Sequence, residues 1–134
     1  MKYLIDTNIC IYIINQRPPD VIKRFKKFDL GEIGISSITV SELQYGVEKS
    51  IHRKKNLLRL DHFLAPFEIL PYDEAAARTY GQIRAVLEKE GSPVGPLDFL
   101  IAAQALSREL ILVTNNEKEF NRIKQLKIEN WTIS

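Results

Sequence analysis

Asp6, Glu42, Asp98 and Glu119 are four acidic residues spread along the chain, each expected at a junction between a strand and a helix. A parallel α/β sheet gathers such junctions at one edge, outside the carboxyl ends of its strands. Carboxylates distant in sequence would then meet in one pocket. Like charges there raise one another's pKa. A hard divalent cation, which takes oxygen ligands, is the usual stabiliser. The chemistry this predicts is metal-dependent hydrolysis.

Each acid also has a structural explanation of its own. Asp6 suits a turn after a strand. Glu42 closes Thr39-Val40-Ser41-Glu42, which has the spacing of a capping box. Asp98, just after Pro96, and Glu119, near the start of a short helix, would both complement a helix dipole. Two features favour chemistry. Asp6 ends an apolar strand and Asp98 precedes Phe99-Leu100-Ile101-Ala102-Ala103, and acids against apolar walls are costly unless paired or metal-bound. No other catalytic set competes. His52 and His62 lie in a charged amphipathic region, and the chain has neither a glycine-rich phosphate loop nor a serine elbow. Asn115 and Asn116 add polar groups at the same edge, and the hydroxyls of Thr7 and Thr114 are placed to orient the carboxylates.

The elements that must position these groups alternate. Tyr3-Leu4-Ile5 is a short unbroken apolar run, as in a buried parallel strand. Asn8 is expected to cap a helix over residues 9–14. Pro18-Pro19-Asp20 opens a second helix with Val21, Ile22, Phe25 and Phe28 on its apolar side. Gly34-Ile35 predicts a second strand, and Ser36-Ser37 opens the helix that carries Glu42. Residues 56–63 read as a helix and 67–70 as a third strand. Asp73 caps a long helix to Glu90 that Gly91 ends. After the loop 91–96, Pro96 suits the first turn of a helix reaching Arg108. Residues 111–113 form a fourth strand, 117–123 a short helix, and 127–133 an edge strand. This alternation predicts an α/β fold with a central parallel sheet of four to five strands between helices.

The 134 residues fit one domain, 1–134, with 45% hydrophobic and 27% charged residues, ordinary for a globular protein. The single cysteine, Cys10, among Ile9, Ile11 and Ile13, reads as a small buried hydrophobe. It excludes an internal disulfide and argues against structural zinc. The net charge of +2 is too small for a protein that coats DNA. Basic residues nevertheless cluster at Lys23-Arg24-Lys26-Lys27 and at Lys49-His52-Arg53-Lys54-Lys55, as solvated helix faces or as phosphate contacts beside the acidic pocket. No signal peptide and no membrane-length apolar run is seen, so a cytoplasmic location without membrane attachment is expected.

The chain resembles a PIN-domain ribonuclease, and more narrowly the VapC toxins of toxin–antitoxin pairs. The matching segments are Leu4-Ile5-Asp6-Thr7-Asn8, Ile35-Ser36-Ser37-Ile38-Thr39-Val40-Ser41-Glu42-Leu43, Pro93-Val94-Gly95-Pro96-Leu97-Asp98 with Ile101-Ala102-Ala103, and Val113-Thr114-Asn115-Asn116-Glu117-Lys118-Glu119-Phe120. The resemblance implies a three-layer PIN-like fold and a Mg²⁺- or Mn²⁺-dependent endoribonuclease. It implies that Asp6, Glu42 and Asp98 are the shared metal-binding acids. Where many relatives carry a further aspartate this chain has Asn115 and Asn116, so Glu119 is taken as the substitute and Asn116 as a lesser candidate. Thr7, Asn8 and Thr114 are expected to support the ligands. Also implied are a VapB-type antitoxin that blocks the site, an RNA substrate such as initiator tRNA cut in its anticodon loop, and a homodimer. Arg78 and Arg84 on the long helix are the candidate RNA contacts of that dimer. The apolar residues Ile9, Tyr12, Ile13, Val21, Phe25, Leu57, Leu58 and Leu60 are expected to leave an exposed groove for the antitoxin.

Two other chemistries are compatible with clustered acids. An aspartyl phosphatase or phosphotransferase would use Asp6 as nucleophile, but its usual second aspartate is replaced by Asn8. A receiver-like signalling domain would need a lysine after a late strand, and Val113-Thr114-Asn115-Asn116 has none.

Overall fold

In the computed structural model, which describes residues 1–92 and 94–133, β1 (Tyr3–Ile5) lies at the centre of a five-stranded sheet. The other strands are β2 (Ile33–Ser36), β3 (Glu68–Leu70), β4 (Ile111–Val113) and β5 (Ile128–Glu129), in the order β3-β2-β1-β4-β5. Every pairing is parallel, with Tyr3 opposite both Ile33 and Ile111. Pro93, at the head of one matching segment, lies outside the described residues.

Successive residues of a strand face opposite sides, so each strand feeds two cores. Leu4 and Leu112 pack with α5 (Glu74–Lys89) and α6 (Pro96–Ser107), against Ile83, Leu87, Phe99 and Ile101. Tyr3, Ile5 and Val113 face the other way. They pack on α1 (Thr7–Asn15), α2 (Pro19–Phe25), α3 (Ser37–Glu48) and α4 (Arg53–Leu64) through Ile9, Val21, Leu43 and Leu60. Trp131, fully buried beyond β5, stacks on Phe28 at 5.1 Å and closes that side. A short helix, α7 (Glu117–Phe120), follows β4. The result is the three-layer α/β arrangement.

Local chemistry corrects several boundaries. Asp6, not Asn8, caps α1: its Oδ1 accepts the Ile9 N–H at 3.0 Å, and Asn8 is exposed inside the helix. Ser36 caps α3 through the Ile38 N–H, so Glu42 lies well inside that helix and Thr39–Glu42 is not a capping box. α4 begins at Arg53, three residues early, on a polar turn with no apolar period to announce it. α7 ends at Phe120 rather than 123, and β5 is two residues long. A 3₁₀ turn at Leu30–Glu32 had no sequence signal.

The expected exposed groove is also revised. Ile9, Ile13, Val21 and Leu60 are core residues and Tyr12, Phe25 and Leu57 pack against that core; only Leu58, 72% exposed, is free of it. A cleft of about 260 Å³ does open nearby, between α1, α3 and α4, with Ile11, Ile14, Leu43 and Val47 among its walls.

Candidate active site

The strand order reverses between β1 and β4, and Asp6 stands at that switch point. Its N–H donates to Val113 O at 3.0 Å, and the register places it beside Thr114 on one side and Ser36 on the other. Asp6 is only 5% exposed. Burial raises its pKa to about 6, and the charge of Glu42 adds to the rise. The Thr114 hydroxyl and the N–H groups of Ile9 and Asn8 pull it back by donating to the carboxylate.

Glu42 reaches the same place from α3. Thr7 Oγ1 donates to Glu42 Oε1 at 2.6 Å and lies 3.3 Å from the Oγ1 of buried Thr39. Thr7 and Thr114, singled out for this duty in the sequence, therefore each hold one acid. Asn8 contributes its backbone N–H alone.

Asp98 sits in the first turn of α6, where Pro96 takes the opening position. Burial, then the charge of Glu119, then a hydrogen bond with it, raise Asp98 to about 7; Asp6 and Glu42 add smaller repulsions. Burial also pushes Glu119 upward, but hydrogen bonds from the Gly95 N–H, the Asn116 amide and Asp98 outweigh it and hold Glu119 below the usual glutamate range. The two carboxylates are linked by a hydrogen bond, and the charge of each bears on the other. Asn116 Nδ2 donates to Glu119 Oε2 at 2.5 Å, so Asn116 orients Glu119. Gly95 leaves the space: a Cβ there would lie 3.3 Å from Glu119 Oε1 and 3.7 Å from Asp98 Oδ2. Sequence reasoning missed Gly95 and Thr39; the Gly95-Pro96 pair before Asp98 was the available signal for the first.

The four carboxylates thus meet at one edge, coupled by charge. The donor set is all oxygen, with Cys10 sealed in the core and its thiol pushed well upward by burial. Such a set suits a hard cation. Among the described residues no three acidic, histidine or cysteine side chains form a ready cage. Arg78 and Arg84 are not part of this cluster: they pair on α5 with Glu74 at 3.6 Å and Glu88 at 2.7 Å. His52 and His62 are exposed.

A PIN domain model matches residues 3–126. The chain belongs to the PIN-domain family. It is 47% identical to the tRNA(fMet)-specific endonuclease VapC of Shigella flexneri, over 98% of this chain and 99% of that one. It is 45% identical to ribonuclease VapC2 of Haemophilus influenzae, over 98% of both. Among solved structures it resembles DNA-bound VapBC from Salmonella typhimurium, with a TM-score of 0.92 at 46% identity over 98% of each chain. VapBC2 from Rickettsia felis bound to a promoter DNA fragment gives 0.89 at 42% identity, over 98% of this chain and 99% of that one. The chain is a VapC-type PIN-domain ribonuclease. The phosphotransferase and receiver readings are not favoured. PIN-domain nucleases generally depend on divalent metal. Among the described residues no helix is long and apolar enough to cross a membrane.

Proposed function

We propose that this chain is the toxin of a toxin–antitoxin pair, acting in the cytoplasm as one domain, 1–134, and cutting tRNA, with the initiator tRNA anticodon loop as the first target to try. The observation that carries this is the convergence of Asp6, Glu42, Asp98 and Glu119 at the switch point, in a chain 47% identical to a tRNA(fMet)-specific endonuclease. Asp6 and Asp98 would hold Mg²⁺ or Mn²⁺, Glu42 would share it, and Glu119 would hold a second ion. Bound metal stabilises charge on the attacked phosphate and lowers the pKa of water. Glu42, fixed by Thr7, orients the attacking water. Asp98, raised by burial and by the charge of Glu119, would ionise more readily with a cation held beside it.

The partner is a VapB-type antitoxin, as in the VapBC complexes this fold matches. The cleft between α1, α3 and α4 has apolar walls and Glu42 at its rim. An antitoxin segment seated there can extend an Arg or Lys to the carboxylates and compete with metal. Incubation with tRNA and Mn²⁺, beside a small phosphoryl donor, tests the reaction. Water attacking phosphorus leaves 5′-phosphate and 3′-hydroxyl ends. Cyclic 2′,3′-phosphate ends would eliminate this mechanism, and turnover of the phosphoryl donor without RNA cleavage would eliminate the nuclease.

A further inference from the structure

Tyr45 stands on α3 three residues beyond Glu42, and its side chain is 66% exposed. Lys49 follows four residues later with its Nζ 4.9 Å from the Tyr45 ring centroid. At helical spacing residues 42, 45 and 49 share one face, so a row of carboxylate, aromatic ring and ammonium leads out of the acidic cluster. Lys49 also ends α3, where the helix dipole favours a cation. The neighbouring Arg53 is occupied by Glu48 at 2.7 Å. Among the described residues Lys49, Lys54 and Lys55 have no carboxylate within ion-pair range.

A cation near a ring face is attracted by the ring's quadrupole, and with 66% of Tyr45 exposed the ring remains open to solvent. An open ring beside unpaired ammonium groups is what single-stranded nucleic acid uses: bases stack on aromatic side chains while the backbone tracks positive charge. We propose that Tyr45 is the stacking platform for an unpaired RNA base next to the scissile phosphate, and that Lys49 contacts the phosphate beyond it. This rests on the nuclease reading and adds to it a requirement for an unpaired, splayed base at a fixed side of the cut. Tyr45 is a positioning residue; it touches no reacting atom.

The test uses a single-stranded RNA carrying 2-aminopurine beside the cut, titrated with the full chain in Ca²⁺, together with cleavage rates in Mn²⁺. Wild type and Tyr45→Phe should quench the fluorescence and Tyr45→Leu should not. Tyr45→Leu should raise KM roughly 5- to 150-fold, as loss of one stacked base implies, with kcat nearly unchanged. Lys49→Gln should lower the slope of log affinity against log salt by about 0.7. Equal quenching and KM for Tyr45→Leu and wild type would overturn the platform. So would a wild type that cuts RNA without quenching, and then the nuclease reading stands. Quenching by a wild type that cuts no RNA would remove the nuclease, and with it the platform's place beside a cut, leaving only an RNA-binding ring. If Tyr45→Leu instead changes the mass in light scattering, the ring belongs to an interface between copies and the proposal fails.

Discussion

Thr7 Oγ1 donates to Glu42 Oε1 at 2.6 Å, tying the first residue of α1 to the middle of α3. The bond spans 35 positions of sequence and fixes a carboxylate that lies inside a helix rather than at a strand end. Thr7→Val should therefore free Glu42 while keeping the shape of the side chain. Loss of a partner that orients a ligand typically costs 10–100-fold in activity or metal affinity. Thr7→Val should lose about that much cleavage, and Thr7→Ser should keep most of it. Unfolding curves should separate the two by no more than about 2 kcal/mol. Equal rates for valine and threonine would show that Glu42 needs no anchor.

Asp6 both caps α1 and joins the acidic cluster, which separates its substitutions. Asn caps a helix as well as Asp does. Asp6→Asn should abolish cleavage with stability unchanged or raised in chelator, because it relieves repulsion. Asp6→Ala should abolish cleavage and also cost about 1 kcal/mol. Glu42→Gln and Asp98→Asn should behave like Asp6→Asn. If any of the three amide variants melts well below wild type in chelator, that acid is structural.

The raised acids set a pH dependence. Asp6 rises from 3.8 to about 6 on folding, so the folded chain binds the proton more tightly than the unfolded one. The stability this gives is fully present below pH ~4 and is lost as pH climbs through about 6, a loss of about 3 kcal/mol for a shift of this size. Asp98, raised to about 7, extends the loss toward neutrality, while lowered Glu119 opposes it. Chelated protein should accordingly lose stability between pH 4 and 7, and Asp6→Asn should flatten the first part of that slope. Mn²⁺ should restore stability at pH 7 and not at pH 4. A flat wild-type profile in chelator would contradict the coupled cluster.

How much of this was legible in the chain depends on the kind of signal. The unbroken apolar runs at 3–5 and 111–113 announced buried parallel strands, and both lie at the sheet centre. The caps Ser36 and Asp73 were visible because small polar residues precede apolar helices. The α1 cap was given to Asn8 because Asp6 already had a reading as a site acid, and one carboxylate both caps the helix and faces the cluster. Glu42 resembled a capping box because spacing alone cannot say where a helix starts. Apolar residues on α1, α2 and α4 were expected to exceed one core, yet a sheet covered on both faces has two, and these feed the second.

Gly95 gives a separate handle on Glu119. Its φ of −56° suits any residue, so Gly95→Ala adds a methyl group without backbone strain. That methyl would sit 3.3 Å from Glu119 Oε1, tight enough to push the carboxylate aside while sparing the Gly95 N–H. Mn²⁺ titration by calorimetry should show about tenfold weaker binding, in line with other disturbed ligand supports. Unchanged Mn²⁺ affinity in Gly95→Ala and in Glu119→Gln would remove Glu119 from the metal site and leave it as a hydrogen-bond partner of Asp98.

The homodimer is the last expectation to test, and α5 is where it should form. Ile83 and Leu87 of this helix are spent on the core, whereas Val86, 54% exposed, and the exposed Ala75 on the same side extend its apolar surface outward. Small exposed residues allow a second helix to approach closely. A two-fold pairing there would bring Arg78 and Arg84 of both copies to one surface, where RNA phosphates could replace Glu74 and Glu88 as their partners. Those pairs are exposed and each contributes little, so the exchange costs little. Light scattering of the purified chain should give about twice the 15.4 kDa monomer mass, and Val86→Glu should return it toward one. The double variant Arg78→Ala/Arg84→Ala should remain a dimer but bind RNA with a shallower salt dependence. A monomer at micromolar concentration that cuts RNA at the full rate would eliminate the shared groove. An unchanged salt slope would eliminate the arginines alone.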